Sequence, residues 1–131
     1  MPSPKRLQAL GYLSSRKEPG RTRPRTHYTL TDEGRDALVE WMHEPARFPR
    51  IQHEAITRLL AADLVGEQAV LDSLRALREE IADISARLDA AEAVASTIPS
   101  RKRYLLLNHG LARRIVQAHI DWLDEVEREL G

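Results

Sequence analysis

The stretch from Leu7 to Arg35, LQALGYLSSRKEPGRTRPRTHYTLTDEGR, decides the fold. It opens on a short apolar pattern that stops at Gly11, which predicts the end of a helix. Two segments typical of strands follow, residues 12–18 and 25–30, and the second alternates between two faces with a period of two. A tip rich in Pro, Gly and Arg lies between them. The stretch therefore predicts a β-hairpin that is entered from a helix.

A second helix is predicted directly after the hairpin. Thr31 supplies a hydroxyl N-cap, and Asp32 and Glu33 place negative charge at the positive end of the helix dipole. Pro45 and Pro49 end this helix and make a linker. One stripe of the helix is apolar and consists of Ala37, Leu38, Trp41 and Met42.

Three further helices account for the rest of the chain. The first runs from about Gln52 to Gly66, and the apolar residues expected to face inward in it are Ile56, Leu59, Leu60 and Leu64. Two long helices follow over residues 67–97 and about 101–130, with Pro99 between them. At 1.5 Å per residue each long helix would measure about 45 Å.

The long helices carry apolar residues at steps of three and four, which is the pattern of a coiled-coil seam. Such a stripe forms either the core of one chain or the contact between two chains. Because a small hairpin cannot cover two helices of this length, we expect a homodimer. The expected dimerisation residues are Leu74, Leu77, Ile81, Ile84, Leu88, Leu105, Ala112, Ile115, Trp122 and Val126.

The charge of the chain is balanced overall but divided along its length. The 131 residues include 20 Lys and Arg against 20 Asp and Glu, for a net charge of zero. Residues 1–28 hold seven basic residues and one acidic residue, so this end carries +6 and the remainder −6. A cationic end attracts phosphate locally, while the acidic remainder keeps the protein soluble. The alternative for the basic end is a solvated arm without a partner.

Composition excludes several classes of protein. The absence of Cys removes disulfides, thiolate metal sites and Cys nucleophiles together. No apolar run exceeds four residues and no apolar signal segment follows the N-terminus, so we expect a cytoplasmic protein without a membrane span.

No catalytic or metal-binding motif is apparent. The five His residues stand in none of the spacings that align metal ligands on a helix, and no glycine-rich phosphate loop or nucleophile motif occurs. We therefore expect no metal, no cofactor and no enzymatic activity.

Several motifs together resemble the PadR family of bacterial transcriptional regulators. They are Leu7–Leu13, the Arg-rich turn 20–23, the segment HYTLTDEGR at 27–35, and Asn108-His109-Gly110 with Trp122-Leu123 near the acidic end. The resemblance implies a mainly α fold with one small β-hairpin, consisting of a partial winged-helix domain (residues 1–46) and a long C-terminal helical dimerisation domain (residues 47–131). It also implies that the N-terminal part of the helix-turn-helix is missing, since members of the family have further helices ahead of this point.

In that family the hairpin is the wing and the helix before it is the end of the recognition helix. The resemblance therefore assigns DNA contacts to Lys5, Arg6, Arg21, Thr22, Arg23 and Arg25. It also suggests a small aromatic effector, for which the candidate side chains are Trp41, Tyr104, His109 and Trp122; ordinary packing is the alternative for each Trp.

The function implied by the resemblance is a dimeric repressor in the bacterial cytoplasm that binds a palindromic operator and is released by a small ligand. The alternative is a dimerisation or interaction module, or a fragment, without specific DNA binding.

Overall fold

The computed structural model describes residues 2–20 and 22–131, which form two units divided between Arg50 and Ile51. The chain is mainly helical with one two-stranded antiparallel hairpin, as the sequence predicts. Within the described residues, no helix has both the length and the apolar character that a membrane crossing requires.

The first unit contains two helices and the hairpin. Helix α1 spans Pro4–Ala9, strands β1 and β2 span Leu13–Glu18 and Arg25–Leu30, and helix α2 spans Asp32–Met42. The chain turns from α1 into β1 at Gly11, whose φ of +82° lies in the left-handed region that glycine adopts without strain. The strands pair with Leu13 opposite Leu30 and Glu18 opposite Arg25, so residues 19–24 form the tip.

Thr31 joins the three parts of this unit. Its side-chain oxygen accepts a hydrogen bond from the backbone N–H of Gly34 at 3.0 Å, which caps α2. The same hydroxyl donates to the carbonyl of Gly11 at 2.6 Å, at the turn between α1 and β1. Its backbone N–H donates to the carbonyl of Tyr12 at 3.0 Å. The start of α2 is thus fixed to the start of β1.

Gly34 allows α2 to lie directly against the backbone of β1. It is buried, and a Cβ added there would stand 2.1 Å from the carbonyl oxygen of Tyr12 and 2.8 Å from Cδ1 of Leu30. No backbone rotation within α2 relieves such an approach, so this contact requires glycine.

The second unit is a helical arm. Helices α3 (Glu54–Leu60) and α4 (Ala62–Val65) lead into α5 (Glu67–Ala95), and α6 (Pro99–Leu130) returns beside it. A single core joins α3, α5 and α6. Its buried members are Ala55, Val70, Leu74, Ile81, Leu123 and Val126.

The prediction of one inward-facing helix from Gln52 to Gly66 was wrong. The helix is interrupted at Ala61, and Leu60 and Leu64 are 74% and 84% exposed. Of the four residues expected to face inward, Leu59 packs against the core, one turn from the buried Ala55, whereas Ile56 is 44% exposed. The pattern alone could not choose the buried face, because apolar residues lie on both sides of the segment.

Two arginines clamp α5 to α6 in opposite directions. Arg113 of α6 donates to Asp89 and Glu92 of α5, and Arg78 of α5 donates to Asp124 and Glu127 of α6. The hydrogen bond that Arg113 donates lowers the pKa of Glu92, and the hydrogen bonds that Arg78 donates to Asp124 and Glu127 raise the pKa of Arg78.

The close contact at Gly34 predicts a sharp effect of adding one methyl group. In Gly34→Ala the Cβ must displace the backbone of Tyr12, so we expect the first unit to lose at least 2 kcal/mol, about the effect of overpacking a core. Gly110→Ala is the control, because its Cβ would meet only the flexible end of Arg114, at 3.2 Å. Thermal unfolding followed by circular dichroism measures both variants; equal melting temperatures would contradict the proposed role of Gly34.

The clamp at Arg113 predicts a pH dependence. Because the pKa of Glu92 is lowered in the folded chain, its ionised form contributes stability above the ordinary pKa of glutamate, and this contribution is lost as pH falls through the lowered value. In Arg113→Gln the pKa of Glu92 should return toward its ordinary range and the acid-side decrease in stability should become shallower. Denaturant unfolding between pH 3 and pH 7 measures this, with Arg87→Gln, an exposed arginine of α5, as the control.

Candidate nucleic-acid interface and helical arm

The hairpin has one packed face and one basic face. Leu13, Tyr28 and Leu30 lie on the face that continues toward α2, and Leu13 and Tyr28 are partly buried. The opposite face carries the pair Arg16 and His27 and the pair Glu18 and Arg25. Arg16, Arg25 and His27 are exposed. The alternation of the strands therefore places positive charge on the solvent side.

The predicted wing residues lie at or beside the tip. Thr22, Arg23 and Arg25 are exposed, whereas Arg21 lies outside the described residues. Arg25 begins β2 opposite Glu18, but the carboxylate of Glu18 bonds to Arg16 at 2.6 Å rather than to Arg25. Arg25 thus has no ion pair among the described residues and presents its charge to solvent.

Lys5 and Arg6 lie on α1, and both are exposed. The helix is held at its start by Ser3, whose hydroxyl accepts a hydrogen bond from the backbone N–H of Arg6 at 3.2 Å. These two residues belong to the same unit as the wing.

Two further basic residues, Arg16 and Lys17, were not among the predicted contacts although they are exposed on β1. They lie on opposite faces of the strand because they are consecutive. The charge count of residues 1–28 included both, so the signal was present in the sequence.

The predicted dimerisation residues divide into three groups by burial. Leu74, Ile81 and Val126 are buried in the core of the single chain, and Leu77 and Trp122 pack against it. Leu88, Leu105 and Ala112 are partly buried on the paired helices. Ile84 and Ile115 are 37% and 50% exposed. Most of the heptad stripe is therefore used to pair α5 with α6 within one chain.

A different stripe of α6 is left uncovered. Tyr104, Leu107, Leu111 and Ile115 follow one another at steps of three and four, so they share one face of the helix. Their exposed fractions are 59%, 69%, 63% and 50%. We call these four residues the outer stripe. Ile115 was among the predicted dimerisation residues, but Leu107 and Leu111 were missed. The predicted seam passed from Leu105 to Ala112 on the other apolar face of this region.

The candidate effector residues are spread along the chain. Trp41 is 63% exposed on α2, and the other three lie on α6. Tyr104 and Trp122 are separated by about 27 Å along the helix axis, so they do not line one pocket within a single chain. Tyr104 is in contact with Arg101, whose guanidinium carbon lies 5.8 Å from the ring centroid.

His109 and Trp122 have different surroundings. His109 is partly buried and its Nδ1 has no hydrogen-bond partner among the described residues. Trp122 lies edge-on to His53, with ring centroids 6.4 Å apart. In the described part of the chain no group of three or more His, Asp or Glu side chains is arranged to hold a metal ion.

Comparison with known proteins gives the same architecture. The family profile described as "Virulence activator alpha C-term" matches residues 51–131, which is the whole helical arm. No curated protein sequence matches significantly.

Three solved structures are similar over nearly the whole chain. The Vibrio cholerae virulence activator AphA has 26% sequence identity and a TM-score of 0.72, and the match covers 96% of this chain and 72% of that one. Bacillus subtilis PadR, solved in complex with operator DNA, has 20% identity and a TM-score of 0.63 over 97% of this chain and 75% of that one. The PadR-like transcriptional regulator BC1756 from Bacillus cereus has 16% identity and a TM-score of 0.67 over 97% and 71%.

The last two likenesses concern the fold, and they agree with the hairpin, the capped helix α2 and the long paired helices described above. The family match covers more than half of the chain. The chain therefore belongs to the family described as "Virulence activator alpha C-term", and its fold is that of PadR-like transcriptional regulators.

Proposed function

We propose that this protein is a dimeric DNA-binding repressor of the bacterial cytoplasm, in which the hairpin contacts the DNA backbone and the helical arm joins two copies. The observation that carries the proposal is the exposed positive charge of the hairpin, where Arg16 and Arg25 lie on one face of the strands and Arg23 lies in the tip. The fold shared with PadR, whose structure was solved in complex with operator DNA, supports it.

The electrostatics of the hairpin suit phosphate contact. Arg23 and Arg25 are exposed and have no ion pair among the described residues, so neither needs to break a bond before it meets a phosphate. Contacts of this kind position a protein on the duplex without reading much of its sequence. Base reading in winged-helix proteins comes mainly from a helix in the major groove, a role for which α1 contributes Lys5 and Arg6.

The dimer would form through the outer stripe. The four large side chains of the outer stripe are each at least 50% exposed and make a continuous apolar surface along α6. Burying such side chains stabilises association by roughly 1.5–3 kcal/mol each. The buried part of the heptad pattern holds α5 and α6 together. A two-fold dimer would then bind a palindromic operator with half-sites about one helical turn apart.

Release by a small aromatic effector completes the proposed mechanism. Trp122 and Tyr104, at opposite ends of α6, are the side chains on which such a ligand would stack. Their separation implies that each would belong to a different site, or that a second copy brings them together.

The wing is tested by removing its charge. Compared with the parent chain, Arg21→Ala/Arg23→Ala/Arg25→Ala should bind a mixed-sequence DNA duplex more weakly, with a salt dependence of log K that is shallower by about one unit for each lost phosphate contact. Fluorescence anisotropy over a range of salt concentrations measures both quantities. The control Arg75→Ala/Arg87→Ala/Arg128→Ala removes the same charge from exposed positions of the arm.

An unchanged salt slope in the wing variant would contradict the role of the hairpin. If the parent chain binds no DNA even at low salt, the alternative of an interaction module without DNA binding replaces the proposal. That alternative is favoured by the size of the arm, which makes up residues 51–131 and has its own core.

The dimer is tested by placing charge on the outer stripe. Leu111→Glu should shift the chain from dimer to monomer at micromolar concentration, because an unpaired carboxylate would be buried in the interface. Sedimentation equilibrium measures this. The matched control is Leu64→Glu, a leucine that is 84% exposed on α4, away from the stripe. A parent chain that sediments as a monomer, or a Leu111→Glu variant that remains a dimer, would contradict the assignment.

A further inference from the structure

Two histidines that are far apart in the sequence form a direct pair in the arm. His53, the residue before α3, and His119 on α6 have their Nε2 atoms 2.7 Å apart. The ring centroids are 4.9 Å apart, so the rings meet edge to edge through these nitrogens rather than face to face. We call this pair the histidine clasp.

The remaining nitrogens determine where the protons lie. Nδ1 of His119 is 2.7 Å from the carbonyl oxygen of Ile115, and a carbonyl can only accept, so this nitrogen carries a hydrogen. In neutral His119 the Nε2 atom is then bare, and it accepts a hydrogen bond from Nε2–H of His53. This leaves Nδ1 of His53 bare, and that atom is buried with no hydrogen-bond partner among the described residues.

Adding a proton to either ring of this pair is unfavourable. A proton added at Nδ1 of His53 would be a buried N–H donor for which the described residues provide no acceptor. If both rings were charged, two N–H groups would point at each other across 2.7 Å. The doubly protonated state therefore cannot keep the pair, and the rings must separate.

The carboxylates near the clasp are not bonded to either ring. On α3, Glu54 is already paired with Arg58 at 2.7 Å. On α5, Glu80 and the hydroxyl of Ser73 line the groove beside His53, but that hydroxyl donates to the carbonyl of Val70. On α6, Trp122 is uncharged and Asp121 accepts a hydrogen bond from Gln117. No carboxylate of the described chain forms an ion pair with either ring.

We propose that the histidine clasp is a proton-sensitive latch, which ties the start of α3 to α6 at neutral pH and opens on acidification. Imidazole is the side chain whose charge normally changes between pH 5 and pH 8, which suits it to a response to acid. His53 lies close to the division between the two units at Arg50 and Ile51. Opening therefore frees the point at which the chain from the wing unit enters the arm.

The first test reads the tautomers. Nitrogen-15 NMR of the histidine rings at pH 8 should show His119 as the Nδ1–H form and His53 as the Nε2–H form. Two rings that are both in the Nε2–H form and titrate independently of each other would overturn the proposal.

The second test measures how the latch affects the melting temperature at different pH values. In the folded chain the pair disfavours the binding of protons, whereas the unfolded chain binds them freely. The unfolded state therefore binds more protons, and the stability of the folded chain should fall as pH decreases. Between pH 8 and pH 5.5 the melting temperature of the parent chain should decrease by about 4 °C more than that of His53→Gln or His119→Gln. This difference is the expected effect of losing one buried hydrogen bond. Gln can still form a hydrogen bond at either position but carries no charge.

The control is His43→Gln, which removes an exposed histidine outside the clasp and should keep the full pH dependence of the parent chain. In a Trp41→Phe background, Trp122 is the remaining tryptophan, and its emission should change over the same pH range in the control but less in His53→Gln, which removes the ring that lies edge-on to it. An identical pH dependence in all variants would overturn the proposal. Neither readout involves DNA, so the latch and the proposed function can fail separately.

Discussion

The pairing of α5 with α6 is the contact on which the arm depends. Neither helix has another long element to pack against within the second unit, so the core that joins them has only one layer. Val70, Leu74 and Ile81 on one side meet Leu123 and Val126 on the other. Everything else in this unit, including the exposed outer stripe and the clasp at His119, takes its position from that layer.

Local chemistry made the first unit predictable. The strands, the tip and the start of α2 follow from alternation, from Pro and Gly, and from a threonine followed by two acids, and each of these signals acts over a few residues. Thr31 shows the limit of prediction from local signals. Its capping role could be predicted, but its hydrogen bond to the Gly11 carbonyl could not, because that bond depends on how the turn after α1 folds back.

The arm was predictable in outline only. The period of three and four identifies long helices, but it does not say whether Leu74 and Ile81 meet their own chain or a second copy, and the structure uses them within the chain. The break at Ala61 and the pairing of His53 with His119 depend on contacts between distant segments. The histidine spacing searched for in the sequence was that of one helix face, which cannot detect partners 66 positions apart.

The two arginine clamps have a consequence for how the arm can move. Arg113 reaches from α6 to α5 near the closed end of the helix pair, and Arg78 reaches from α5 to α6 near the open end. A slide of one helix past the other by a single turn, about 5.4 Å, would pull both arginines from their acids at once and move the core residues of α5 away from those of α6. The arm is therefore locked against axial sliding, and a signal that passes along it must do so by bending or by rotation of the whole pair.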